Sequence, residues 1–123
     1  MPSESGDYIT NGDALDLDWE HLHQLSEDNT EFEMELLQMF VEDLPEHLEA
    51  VKVAIANNDF ESIKHEGHYI KGSSANVGAT AMRNSAEKLE EMAKHEQLEG
   101  ANDVLSDLSE YVNRIQAFLA ANV

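Results

Sequence analysis

The chain has 123 residues, 41% of them hydrophobic, with no cysteine and 26 Asp and Glu against 7 Lys and Arg, a balance that predicts one small, strongly acidic domain. A formal charge of −19 argues against nucleic acid or an anionic membrane as the main partner, since both repel such a surface, and the missing cysteines remove disulfides, thiolate metal sites and cysteine nucleophiles. No apolar run approaches the roughly 20 residues needed to span a bilayer, and no basic segment followed by an apolar one marks a secretory signal, so a soluble cytoplasmic protein is expected.

Residues Met1 to Ala14 hold Pro2, Gly6, Gly12 and several Ser, Asn and Asp around the isolated apolar pair Tyr8 and Ile9. Such a segment buries too little surface to offset the entropy of ordering, so a flexible tail is expected over 1–14 and a single domain over 15–123. From Leu15 on, Leu, Met, Ala, Glu and Gln dominate and no stretch alternates apolar with polar β-branched residues, which predicts an all-α domain. A short first helix is predicted from Asp18 to Leu25, with Asp16 or Asp18 near its cap and Trp19, Leu22 and Leu25 along a narrow apolar edge. The second and longest should run from about Thr30 to Asn57, carrying the stripe Phe32, Leu36, Phe40, Leu44, Leu48, Val51 and Ile55. Pro45 lies inside it. Because the stripe continues across the proline, one kinked helix is expected rather than two divided near Asp43.

Asn57, Asn58 and Asp59 form a capping run before a third helix, from Phe60 to about Val77, which Gly78 stops. A fourth helix, about Ala79 to His95, places Met82, Ala86, Leu89 and Met92 or Ala93 on one side. Glu96 to Asn102 around Gly100 read as a loop, and a fifth helix, about Asp103 to Ala121, turns Val104, Leu108, Tyr111 or Val112, Ile115 and Leu119 inward. Four long amphipathic helices with short links predict an antiparallel up-down four-helix bundle with an additional short N-terminal helix.

The third helix carries the chemistry. At roughly 100° per residue, Phe60, Ile63, Gly67, Ile70, Ser74 and Val77 share the core face. Glu61, Lys64, His65, His68, Lys71, Gly72 and Ala75 gather on the opposite side, so His68 should face solvent. Lys64 lies one turn before His68, with Lys71 and Gly72 one turn after, which predicts a small positive site on a negative body. A glycine inside a helix costs on the order of 1 kcal/mol against alanine. Gly67, facing inward, should permit close approach of another helix, whereas Gly72, facing outward, should clear space for a bulky group on another protein to reach the imidazole. A neutral imidazole is a nucleophile, and a phosphoryl group on its outer nitrogen would lie within reach of the Lys71 ammonium. The arrangement suits a phosphocarrier.

The run His68-Tyr69-Ile70-Lys71-Gly72-Ser73-Ser74-Ala75-Asn76-Val77-Gly78-Ala79 resembles the signature of histidine-containing phosphotransfer (HPt) domains, in which His, two residues, Lys and Gly precede small residues and a later Gly. The resemblance covers about Leu15 to Ala121. It implies a relay protein of multistep two-component signalling, phosphorylated on His68 by a receiver-domain aspartate or a histidine kinase and passing the group to the aspartate of a response-regulator receiver. Lys71 would steady the phosphoryl group and Gly72 would admit the receiver. The receiver would supply the aspartate pocket and its Mg²⁺, so no cofactor is expected in this chain. The partner footprint would surround His68, with Lys64, His65 and Ala75 on the third helix and Leu22, Leu36 and Met39 on the first two. Some relatives carry Gln or Arg on the fourth helix near the phosphoryl group; the register here offers Glu90 and Lys94.

Competing readings of the same residues are blander. His65 is also exposed but lacks a Lys-Gly pair one turn on, and it reads as a solvated residue. Glu61, His65 and His68 could ligate a divalent ion, although the neighbouring lysines would repel it. Ser73 and Ser74 have no carboxylate–histidine arrangement to form a triad and suit a helix interface. His21, His23, His47 and His95 are expected at the surface. Lacking a Gly-rich nucleotide loop, the chain should not phosphorylate itself from ATP. The alternative function is a silent acidic scaffold that only binds a receiver or kinase, and one complete core predicts a monomer.

Overall fold

The computed structural model describes residues 15 and 17–122; the predicted 1–14 tail lies outside them. The helices are α1 (Trp19–Ser26), α2 (Thr30–Ala56), α3 (Phe60–Asn76), α4 (Thr80–Lys94) and α5 (Ala101–Ala121). Carboxylate and amide caps set three of the starts by satisfying backbone N–H groups that have no partner in the first turn. The side chains of Asp18, Asn29 and Asp59 accept from the amides of His21, Phe32 and Ser62. Gly78 ends the α3–α4 turn at φ +75°, where an added Cβ would also meet the Asp18 backbone oxygen at 3.0 Å. The last helix begins two residues earlier than expected, directly after Gly100.

α2 packs on α3 and α5, and α4 packs on the same two, so the four long helices close a ring with α1 set against α2. Short links between consecutive neighbours make them antiparallel. α1 is tied down further by the Asp18 amide donating to the Gly78 carbonyl at 2.7 Å and by His21 Nε2–H donating to the Asn76 carbonyl at 3.0 Å. Its Trp19 ring lies 5.7 Å from that of Phe118 on α5.

α2 runs unbroken through Pro45. The buried Leu44 and Leu48 on either side anchor it to the core, which offsets the lost backbone hydrogen bond. Its predicted stripe needs correction: the buried set is Glu33, Leu37, Phe40, Val41, Leu44, Leu48, Val51 and Ala54, with Phe32 exposed and Leu36 and Ile55 half-buried. The first turns of α2 face α1, and there a carboxylate is drawn inside because two side chains of α1 satisfy it. Glu33 Oε2 accepts from His23 Nδ1 at 2.5 Å and from the Ser26 hydroxyl at 2.8 Å. The inward faces of α3, α4 and α5 follow the predicted periodicity, with Ala93 and Val112 taking the positions left open between neighbours.

Candidate functional site

The site grows from the α3–α4 seam. A Cβ built on Gly67 would come within 3.2 Å of the Ala86 carbonyl oxygen and the Glu90 amide nitrogen, so the missing side chain is what lets the two helix backbones approach. That approach delivers the Glu90 side chain to the residues of α3 that follow Gly67. Glu90 Oε2 lies 3.1 Å from His68 Nδ1, and Glu90 Oε1 lies 2.7 Å from Lys71 Nζ. His68 is the outermost of the three, its side chain 72% exposed against 24% for Lys71 and 16% for Glu90.

Burial pushes the Glu90 carboxyl upward, but hydrogen bonds from Lys71 and His68, together with their charges, outweigh it and hold Glu90 below its ordinary value of 4.5. An ionised carboxylate only accepts. The contact with His68 is therefore Nδ1–H donating to Glu90, and in the neutral ring this leaves the lone pair on Nε2. Nε2 makes no hydrogen bond among the described residues. A hydrogen-bonded Nδ1, a free Nε2 and a mostly exposed ring together make an outward-facing nucleophile.

Gly72 completes the opening: nothing lies within 4 Å of a Cβ built there. His65 and Ala75 are exposed on the same side and Lys64 is half-buried. The expected positive site is corrected, because both lysines are already paired. Lys64 Nζ lies 3.3 Å from Glu61, and Lys71 is held by Glu90. Lys94, the other fourth-helix residue in register, instead lies 3.5 Å from Glu91. Among the described residues no three His, Asp or Glu side chains converge as a metal site, and two of the three supposed ligands, Glu61 and His68, are engaged elsewhere. Ser74 is fully buried, which removes it as a nucleophile.

The residues expected to meet a partner divide. Met39 is 66% exposed and Leu36 is half-buried. Leu22 has 0% exposure, so it is a core residue and offers no surface to a partner; its position inside the α1–α2 contact overrides the narrow apolar edge read from sequence. Beside Met39, on the α2–α3 side of His68, lies a polar group that sequence reasoning missed. The Tyr69 hydroxyl donates to Asp43 at 2.5 Å, the Tyr69 and His47 rings stack with centroids 4.0 Å apart, and His47 Nδ1 lies 2.6 Å from Glu66. The hydrogen bond to Asp43 is the main reason the Tyr69 hydroxyl is pushed above its ordinary value. His47 is thus a bridging residue, as is His23 of α1, and of the four histidines expected at the surface only His95 is exposed rather than half-buried.

Residues 35–118 match the Hpt domain. The chain is 30% identical over 103 residues to the phosphorelay intermediate protein rdeA of Dictyostelium discoideum, a match covering 84% of this chain and 41% of that protein. It is 29% identical over 66 residues to the phosphorelay intermediate protein YPD1 of Candida albicans, covering 54% of this chain and 36% of that one. The chain thus spans about two fifths of the length of these curated relatives. The crystal structure of histidine-containing phosphotransfer protein B from Pseudomonas aeruginosa superposes with a TM-score of 0.77 at 27% identity, over 85% of this chain and 91% of that one. The matched span contains α3 with His68, Lys71 and Gly72, and α4 with Glu90. The chain belongs to the Hpt domain family.

Proposed function

We propose that the chain is a phosphorelay carrier that takes a phosphoryl group on His68 from a receiver-domain aspartate, or from a histidine kinase, and hands it to the aspartate of a response-regulator receiver. The Nε2 lone pair attacks phosphorus, the bond from phosphorus to the aspartate oxygen breaks, and its electron pair returns to the carboxylate. The reverse step runs through the same atoms. The observation that carries the reading is the exposed His68 ring with Nδ1 engaged and Nε2 free. Lys71 has the charge and the reach to steady the phosphoryl oxygens, and the open space at Gly72 leaves room for a receiver.

In this reading the chain needs no cofactor of its own; Mg²⁺ would sit in the receiver's acidic pocket. Lys64, His65, Ala75, Leu36 and Met39 surround His68 as the partner-facing set. The carrier works as a monomer in the cytoplasm, and its −19 charge sets it apart from nucleic acid and anionic membrane. No helix among the described residues is long and apolar enough to cross a membrane. The test is transfer of label from a phosphorylated receiver in the presence of Mg²⁺. His68→Gln should bind the receiver and accept no label, while His65→Gln should accept it at close to the normal rate. Label retained by His68→Gln would refute the assignment.

A further inference from the structure

The titratable groups around the His68 ring come from three helices; on the α2 side, Asp43 accepts from Tyr69 and His47 is paired with Glu66, so these are engaged with one another. From α3, Lys64 one turn before is paired with Glu61, Lys71 one turn after is held by Glu90, and His65 is exposed. From α4, Glu90 contacts the ring itself, while Glu87 and Lys94 to either side are engaged with Arg83 and Glu91. Glu90 alone touches both the ring and the lysine beside it.

The attack written above has a consequence for the proton on Nδ1. A neutral ring that carries its hydrogen on Nδ1 and attacks through Nε2 loses no proton. The immediate product is a phosphorylated ring with hydrogen still on Nδ1, formally cationic. When the phosphoryl group leaves, the N–P bonding pair returns to Nε2 and a neutral imidazole departs, again without a proton transfer. If the phosphorylated ring sheds the Nδ1 proton, the leaving group becomes an imidazolate, a far poorer one, and the phosphoryl group is stranded.

We infer that Glu90 is a positioning residue that keeps the Nδ1 proton on the phosphorylated His68 ring, so that the carrier releases its phosphoryl group without waiting for a proton. This rests on the relay reading for its biological use, but the chemistry stands on the Glu90 contact. A carboxylate 3.1 Å from Nδ1 is the counter-ion of the cationic ring, and its partial burial strengthens that attraction. The second oxygen, bound to Lys71 at 2.7 Å, fixes the carboxylate so that the first stays aimed at the ring.

The test phosphorylates the protein with phosphoramidate, a small phosphoryl donor that requires no receiver, and follows the ring by ³¹P and ¹⁵N NMR across pH. Glu90→Gln keeps the shape and removes the charge; the midpoint for loss of the Nδ1 proton should fall by about one pH unit, a tenfold loss of proton affinity. Glu90→Ala, which also removes the acceptor, should lower it at least as far. Midpoints unchanged in both variants would overturn the inference.

A second arm reads transfer to a receiver, each variant expressed relative to the unsubstituted protein so that the receiver's own titration cancels. The Glu90→Gln ratio should fall from near one, at a pH where both rings keep the proton, to about a tenth, at a pH where both have lost it, the whole fall lying around the two midpoints; a ratio that stays at its low-pH value throughout would overturn the inference. Phosphohistidine that forms with the shifted midpoint yet passes nothing to any receiver would instead refute the relay reading and leave the role of Glu90 standing.

Discussion

Gly67 and Gly72 lie on the same helix and face opposite ways, and the structure assigns each a different reason for lacking a side chain. At Gly67 the neighbours of a Cβ are backbone atoms of α4 at 3.2 Å, which cannot swing aside. Gly67→Ala should therefore lower stability by about 1–3 kcal/mol through overpacking and loosen the seam that presents Glu90. At Gly72 the space is empty, so Gly72→Ala should be neutral or stabilising by up to about 1 kcal/mol, since alanine is the better helix former. Gly72→Leu should keep the helix and slow phosphoryl transfer. Urea denaturation and transfer rates read the two properties separately; a transfer rate unchanged by leucine would contradict the clearance argument. At this scale His68, Lys71 and both glycines were legible, because a single helical wheel sorts them. The register of the fourth helix offers Glu90 and Lys94 alike and does not choose between them. The grip of Glu90 on both His68 and Lys71 spans 22 residues of sequence and depends on how closely α3 and α4 pack, which no wheel of one helix contains.

Among the elements, α1 depends most on polar contacts. It is short, its Leu22 is fully buried, and an isolated helix of that length does not hold in water. Its attachment to α2 runs through Glu33, which has 0% exposure and accepts from both His23 and Ser26. Glu33→Ala would leave the nearly buried Ser26 hydroxyl and the His23 nitrogen without this acceptor, a loss of about 1.5–3 kcal/mol for hydrogen bonds to a charged group. Hydrogen exchange should then speed up in α1 well beyond the rest of the bundle; α1 amides protected as before would contradict this. The same contact explains where the sequence reading slipped. Helix order and most boundaries followed from caps, Gly78 and apolar spacing, and the continuous α2 followed from a stripe that crosses Pro45. The first turns of α2 were misread because a count of apolar positions places Phe32 and Leu36 inside and a glutamate outside. The partners supplied by α1 reverse that order.

For the molecule as a whole, charge and core do separate work. The apolar interior closes the four-helix ring, while the Lys and Arg ion pairs among the described residues mostly join neighbours on one helix at spacing three or four. Such exposed pairs contribute little to stability. Lys71–Glu90 is the one in this set that crosses between two helices, and it lies beside the proposed nucleophile. A body carrying −19 therefore keeps its cross-helix cation where a phosphoryl dianion would need it. The bundle itself was predictable from composition and periodicity, whereas the pairing that turns an exposed histidine into an oriented nucleophile was not, since it is a property of the assembled seam.

The most direct measurement is intact and peptide mass spectrometry at alkaline pH, after the protein has been incubated with a phosphorylated receiver domain and Mg²⁺, beside a control with ATP and Mg²⁺ alone. The account predicts one acid-labile phosphoryl group on the peptide containing His68 and none in the control. A folded protein that binds the receiver yet stays unmodified at His68, or one that gains label from ATP without any partner, would contradict it.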